Sequence, residues 1–334
     1  MKILIFGLGS VGQRHLQNIT KLYKKSVIGT TSNIINRNII NLDRSKSNKK
    51  ITDKFKIKIL KSRQDITKFK PNYVIISNEN QLHYKSIIKF MKMNINIFVE
   101  KPLVIKVPEL NILKTNLADS SSVLNVGYQL RFHPCIKLVK KFLLKNKFEL
   151  IQSSFSCLTY LPEHRPWQNY KKSYASLEKK GGGVINNMSH EIDLINYFFG
   201  KPKSVIAINN KKSIKIEAEE NTQTILKYKK KFSVSLNLSF ASKVEKRDFT
   251  ILSNNFLIEC NLLNNNVSIH MFKTNKTLKY KFNFKRNDMF IDEIKNFFNL
   301  CKNKNNIDNN GFETTEIMFG IKKSLKSDKE IFLT

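Results

Sequence analysis

The sequence predicts an α/β protein in two parts: a doubly wound parallel sheet over residues 1–125, then an α+β domain over residues 126–334 with an open, largely antiparallel sheet. Three observations carry this prediction. Short β-branched runs alternate with amphipathic stretches through the first part, the pattern of βαβ units whose helices cover both faces of a parallel sheet. A glycine-rich turn, Gly7-Leu8-Gly9-Ser10-Val11-Gly12, joins the first apolar run to the first amphipathic one. Beyond residue 203, seven short strand-like segments succeed one another with polar turns between them, as in an antiparallel sheet.

Taken in order, residues 2–6 form a compact apolar strand, residues 11–23 have helical spacing, and residues 26–31 form a second strand. Strands at 72–77 and 96–99 alternate with helices at 81–93 and 109–120, and a strand at 123–128 closes the first part. Residues 134–147 read as a helix opened by Pro134, whose fixed φ and missing N–H suit a first helical turn. A strand at 149–158 and a polar, aromatic loop at 159–180 follow. Residues 191–199 have helical spacing and stop at Gly200-Lys201-Pro202, a helix-ending combination. The strand-like segments then occupy 204–209, 222–228, 232–240, 248–253, 256–262, 267–271 and 277–282, before a helix at 289–300 and an Asn-rich loop at 302–310.

At roughly 100–200 residues per domain, 334 residues suit two domains. A hydrophobic content of 41 % excludes intrinsic disorder of the whole chain. No apolar run approaches the ~18–20 residues of a membrane span, so no membrane partner is expected. The opening apolar run is short and meets glycines directly, without a small-residue cleavage site, and predicts no secretory signal. The formal charge of +33 divides into +16 over residues 1–125 and +17 over residues 126–334. So even a spread, in a chain crowded with Lys, Asn and Ile, reads as A/T-rich coding bias rather than a nucleic-acid surface. The cysteines, Cys135, Cys157, Cys260 and Cys301, form no CxxC pair, which predicts no zinc or other metal site, no disulfide framework and a cytoplasmic setting.

The GxGxxG sits after a strand and opens a helix, the context that makes it a Rossmann dinucleotide fingerprint. Gly7 permits the tight turn, Gly9 lets backbone approach a pyrophosphate, and Gly12 lets helix pack on strand. The amides of Ser10 and Val11 at the helix N-terminus face the anion. An NAD-preferring site would carry an acid at the end of the second strand, about 20 residues on. Here Thr30, Thr31 and Ser32 stand there, with Arg37 nearby and no acid until Asp43. Hydroxyls and a guanidinium predict NADP in preference to NAD.

Glu100-Lys101-Pro102 directly follows a strand, and with it the chain resembles the Gfo/Idh/MocA oxidoreductases, of the glucose-fructose oxidoreductase and inositol dehydrogenase type. The resemblance runs through Gly7 to His15, Ser77 to His83, Glu100 to Leu103, Gly127 to Pro134, and Gly181-Gly182-Gly183 followed by Ser189 to Asp193. It implies a dinucleotide domain followed by a substrate domain whose sheet forms a dimer or tetramer face. It also implies hydride transfer between nicotinamide C4 and a ring carbon of a sugar, nucleotide sugar or cyclitol. Lys101 matches the motif lysine that polarises the reacting oxygen, and His190 the histidine that serves as acid and base. Without the motifs, Lys101 reads as well as a surface lysine, and His190 as a capping or core histidine.

Ser77, Asn78, His83, Glu100 and Lys101 fall on loops after strands of the parallel sheet, where they are expected to meet the cofactor. Arg131 and His133 in the Gly127–Pro134 segment are expected at the substrate, as are Arg165, Trp167 and Tyr174 of the aromatic loop and Asn187 before the histidine. That loop is composed for a sugar ring, with Arg165 able to grip a phosphate or carboxylate. Two departures stand out. Asn186 and Asn187 occupy the stretch where the family commonly has an Asp, and Gln129 stands for an Asn. An amide takes no proton, so a cofactor-binding sensor or scaffold without turnover is the alternative to an enzyme.

Overall fold

Ile3, Leu4 and Ile5 are each 0 % exposed, and the strand they form, β1 (Lys2–Phe6), lies inside a six-stranded sheet. The computed structural model describes residues 1–32, 34, 37–43, 45–165, 168–229, 231–303 and 309–333. After β1 come α1 (Ser10–Leu22), β2 (Val27–Thr30), a small hairpin of β3 (Asn38–Ile40) and β4 (Lys46–Lys50), α2 (Ile51–Lys54), β5 (Ile57–Ile59) and α3 (Arg63–Phe69). Then follow β6 (Tyr73–Ile76), α4 (His83–Met91), β7 (Asn96–Glu100), α5 (Val107–Ala118) and β8 (Leu124–Gly127). The sheet order is β5-β2-β1-β6-β7-β8, and every pairing is parallel.

The elements from β3 to α3 were not predicted. Strand β5 is three residues long at a sheet edge, too short for a periodic signal. Helix α3 carries its signal in a capping box instead: the Ser62 hydroxyl accepts from the Asp65 amide at 3.0 Å, and the Asp65 carboxylate accepts from the Ser62 amide at 2.9 Å.

The second part supplies α6 (Pro134–Lys145), β9 (Leu150–Tyr160), α7 (Val184–Asn187), α8 (Ser189–Phe199), β10 (Ser204–Asn209), β11 (Asn221–Lys227) and β12 (Ser233–Ser239). It continues through β13 (Ala241–Ser253), β14 (Phe256–Asn261), β15 (Asn266–Met271), β16 (Lys276–Lys281), α9 (Arg286–Lys302), α10 (Asn309–Ser327) and β17 (Ile331–Phe332). Its nine strands order as β16-β15-β14-β13-β9-β12-β11-β10-β17, antiparallel except where β12 meets β9. Side chains of β12 alternate strictly between buried and half-buried, the mark of a sheet covered on one face. Phe142 of α6 packs on Phe256 of β14, and Phe199 of α8 on Phe155 of β9, which places both helices on that covered face.

The chain divides into two compact units, residues 1–129 with 285–309, and residues 130–284 with 310–334. Residues 285–309 therefore belong with the first unit, although the sequence division at 125 and 126 placed them in the second. Ile294, Phe297 and Phe298 of α9 enter the core built by Ile3, Ile5, Ile19 and Ile75. An apolar face at i, i+3 and i+4 announces a buried helix, but does not say which sheet buries it.

Helix α10 was also not predicted. Its buried residues include Thr314, Thr315 and Ser324 beside Ile317, Met318 and Ile321, so polar side chains dilute the apolar stripe. Strand β13 begins seven residues before its predicted start, because its first part is charged and separated from the rest by a register shift between Ala241 and Lys246. Most of the Asn-rich 302–310 segment lies outside the described residues. Among the described residues no helix is long and apolar enough to cross a membrane.

Candidate functional site

In the first unit, Gly7, Ser77 and Lys101 each follow a strand of one parallel sheet, β1, β6 and β7, and so stand at the same sheet edge. The glycine turn is locked there. Gly7 has φ +107°, and its backbone presses on Asn78, whose amide nitrogen would lie 2.5 Å from a Cβ on Gly7. The Ser77 hydroxyl donates to the Gly7 carbonyl at 2.7 Å. A Cβ on Gly12 would meet the Gly7 carbonyl oxygen at 2.0 Å, so only glycine lets α1 start this close to β1. By contrast Gly9, the N-cap residue of α1, is exposed with open space where a Cβ would stand. Helix α1 has no acidic residue in its first turn, so the amides of Ser10 and Val11 present uncancelled positive dipole. These residues fit a dinucleotide pyrophosphate. Gly12→Ala is expected to weaken dinucleotide binding tenfold or more, about 1.4 kcal/mol, in a calorimetric titration; unchanged affinity would refute the fit.

At the adenosine end, Thr30 is 0 % exposed. Its hydroxyl donates to the Ile5 carbonyl at 3.0 Å and accepts from the Ser32 amide at 3.1 Å, so it is spent inside the sheet. Thr31 is half-buried and Arg37 exposed, with Nη1 donating to the Leu8 carbonyl of the glycine turn at 2.8 Å. Asn78 donates from Nδ2 to the Ser86 hydroxyl at 2.9 Å, while its buried Oδ1 finds no hydrogen-bond partner among the described residues.

His83 is 0 % exposed and ties two loops together. Its Nδ1 lies 2.7 Å from the Pro102 carbonyl and its Nε2 3.3 Å from that of Asn78. Burial pushes its pKa below the ordinary imidazole range, so the ring is neutral and donates through Nδ1 to Pro102. Fully enclosed, it shapes the Lys101–Pro102 turn, which contains a cis peptide bond, and offers no surface to a cofactor. The half-buried Lys101 stands on that turn. Glu100 is held from the other side, its carboxylate 2.7 Å from Nε2 of the fully buried His15 of α1. His15 had entered only as part of the Gly7–His15 string, and its spacing from Gly12 was the available signal.

In the second unit the structure draws Arg165, Tyr174 and Asn187 into one pocket, together with His164 and Gln168. The Arg165 guanidinium lies 5.9 Å from the centre of the Tyr174 ring. Among the described residues, hydroxyl, amide, imidazole and guanidinium groups line this pocket and no carboxylate does, a set suited to a hydroxylated or anionic ligand. Asn187 donates from Nδ2 to the Gly183 carbonyl at 2.9 Å, and Asn186 likewise to Gly182 at 3.2 Å, so both amides close the turn of α7. Trp167 lies outside the described residues.

His190 is 6 % exposed, on the first turn of α8. Two carboxylates within three residues of it fix its helix through ion pairs. Asp193, 0 % exposed, accepts from Nε and Nη2 of Arg131 at 2.9 and 2.6 Å, and from the Thr314 hydroxyl at 3.1 Å. Glu191 accepts from Nε of the half-buried Arg247 at 2.6 Å, and that carboxylate favours the charged guanidinium there. Arg131, expected at the substrate, is thus the counter-ion of a buried carboxylate, which without it would be a costly isolated charge. His133 is likewise structural: it is 2 % exposed, its Nδ1 accepts from the Cys135 amide at 3.2 Å, and it N-caps α6. The role of Arg131 was not visible in sequence, since partners 62 residues apart leave no local pattern; the cap at His133 is local, just before the helix that Pro134 opens.

Comparison with known proteins agrees with this construction. Residues 1–128 match the model of the oxidoreductase family with an NAD-binding Rossmann fold, and residues 155–258 match the Gfo/Idh/MocA C-terminal domain. YteT of Bacillus subtilis is 26 % identical over 139 residues, covering 41 % of this chain and 32 % of its own. The chain spans about a third of the length of the curated relatives it matches, 32 to 36 %. Levoglucosan dehydrogenase in complex with NADH superposes with a TM-score of 0.83 at 14 % identity, covering 100 % of this chain and 99 % of the other. The WlbA dehydrogenase of Bordetella pertussis, in complex with NADH and UDP-GlcNAcA, does so with a TM-score of 0.76 at 16 % identity and the same coverage. At such identities it is the fold that is shared. Both units having their counterpart in the family models, the chain belongs to the Gfo/Idh/MocA family of NAD-binding oxidoreductases.

Proposed function

We propose that the protein transfers a hydride between a nicotinamide dinucleotide and a ring carbon of a sugar, nucleotide sugar or cyclitol. The observation that carries this reading is the shared sheet edge: the dinucleotide turn after β1 and Lys101 after β7 lie at the carboxyl ends of strands in one parallel sheet. A bound nicotinamide supplies the hydride chemistry. The Lys101 ammonium stabilises charge developing on the carbinol or carbonyl oxygen. The His190 imidazole takes the hydroxyl proton during oxidation and returns it during reduction. Arg165 and Tyr174 seat the sugar, and Asn187 orients it through its amide oxygen. Levoglucosan dehydrogenase and WlbA, whose folds match, are named for sugar and nucleotide-sugar complexes, which supports the substrate class. The test mixes the full chain with dinucleotide and a panel of nucleotide sugars, free sugars and cyclitols, and follows nicotinamide absorbance. Turnover with one member supports the reading, and tight dinucleotide binding without turnover across the panel favours the sensor or scaffold. Asn186 and Asn187, which take no proton, are the observation behind that second reading.

Whether the cofactor is NADP or NAD turns on Arg37, since Thr30 is occupied within the sheet. With a guanidinium by the glycine turn and no acid before Asp43, NADP is expected to bind about tenfold more tightly than NAD, and Arg37→Ala to remove the difference, about 1.4 kcal/mol. Equal dissociation constants in the native protein would refute the preference. We further propose a homodimer or homotetramer formed through the uncovered sheet face and a cytoplasmic setting, with no specific nucleic-acid or membrane partner; sedimentation tests the assembly.

A further inference from the structure

Cys135 and Cys260 are 125 residues apart and their spacing predicts no pairing, yet the fold brings them together. Cys135 lies in the first turn of α6 and Cys260 on β14, 0 % and 2 % exposed. Comparable lengths of helix and strand separate them from one packing contact between the two elements. Phe142 stacks edge-on against Phe256, with ring centres 5.0 Å apart. From there to the cysteines is seven residues of helix, about 10 Å, and four residues of strand, about 13 Å, with Cys260 on the same buried face as Phe256. The two thiols hydrogen-bond one another. His133 closes the site: its Nδ1 accepts from the Cys135 amide, its Nε2 lies 3.3 Å from Oδ1 of Asn265, and its ring meets Phe284 edge-on at 4.6 Å.

We propose that Cys135 and Cys260 form a reversible dithiol–disulfide site, oxidised by a small peroxide and restored by a dithiol reductant. The two sulfurs have different roles. The Cys260 thiol hydrogen bond and the neighbouring His133 hold the Cys135 thiol below its ordinary range, so Cys135 is the attacking thiolate. Burial and that neighbouring thiolate push Cys260 up, so it resolves. Cys135 sulfur attacks one peroxide oxygen, the O–O bond breaks, and the departing hydroxide takes a proton, leaving a sulfenic acid. Cys260 sulfur then attacks that sulfur, the S–O bond breaks, and a second water leaves with the Cys260 proton. Two thiols have lost two electrons and two protons, and the peroxide has become two waters. Both thiols being buried, an oxidant little larger than water enters by local opening, whereas a bulky aromatic disulfide reagent is excluded.

The site is independent of the hydride-transfer reading and is tested without activity. Full-length protein is treated with hydrogen peroxide, alkylated after unfolding and mapped by mass spectrometry without reductant. The expected result is a linked pair of peptides containing Cys135 and Cys260, lighter by two hydrogens, that dithiothreitol separates. The link is expected to be absent in Cys135→Ser and to persist in Cys301→Ser. A second variant, Cys157→Ser with Cys301→Ser, leaves only the proposed pair, and its free thiols are expected to fall from two to none. The proposal is overturned if both cysteines remain alkylatable while Cys301 is oxidised, if either joins Cys157 instead, or if the second variant keeps both thiols.

Discussion

His190→Ala is expected to lower turnover about a hundredfold to ten-thousandfold, with dinucleotide affinity unchanged. His190 sits in the second unit on a helix anchored by Asp193–Arg131 and Glu191–Arg247, so shortening its side chain leaves the helix in place. Under the proposed function, what disappears is the group that moves the hydroxyl proton. Lys101→Ala is expected to lose about a hundredfold to a thousandfold, because charge on the reacting oxygen is then left to water. The double variant is expected to lose less than the product of the two single losses. Steady-state rates with the substrate found in the panel, beside dinucleotide titrations and circular dichroism spectra, measure all three quantities. Rates within a factor of two of the native protein in either variant would sink the assignment.

Asp193→Ala is expected to destabilise the protein by about 3–5 kcal/mol, because it leaves the Arg131 guanidinium partly buried without its counter-ion. The side chain of Arg131 is only 14 % exposed and that of Asp193 0 %, so solvent cannot replace the lost carboxylate. Thr314 loses a hydrogen-bond acceptor in the same variant. Replacing both partners by apolar residues of similar size, Arg131→Met with Asp193→Leu, is expected to recover most of the loss, since no charge is then left buried. Urea unfolding followed by fluorescence measures both variants. A shift below about 1 kcal/mol for Asp193→Ala would place it among ordinary surface substitutions, and the anchoring of α8 would have to be abandoned.

The same pair shows why part of the site was illegible. The Gly7–Gly12 turn is readable because all its parts lie within six residues: strand end, positive φ, anion-binding amides and close packing are local properties of one short string. The Lys101 turn is readable for the same reason. Arg131, His133 and Thr30 are different. Each belongs to a residue type that binds ligands when exposed, and each is consumed inside the fold: Arg131 by Asp193 across 62 residues and Thr30 by the Ile5 carbonyl across 25 residues, partners the sequence does not place beside them, and His133 by the amide of Cys135 two residues on, at a helix start. His83 shows the reverse case of a motif residue that acts through shape, since both its nitrogens meet backbone carbonyls and none of its surface reaches solvent.

Local physics also determined the fold class. Short β-branched runs alternating with amphipathic stretches, Pro134 opening a helix, Gly200 ending one and a later succession of strand-like segments declared a parallel sheet followed by an open antiparallel one. The sequence by itself also determined that +33 is a diffuse background, because no segment concentrates it. Only the tertiary structure decided which sheet buries α9, which carboxylate holds which guanidinium, and that Cys135 meets Cys260. Side-chain periodicity states that a face is buried. The identity of its partner depends on packing between segments distant in the chain, where only a complete set of contacts satisfies every buried charge and fills every gap.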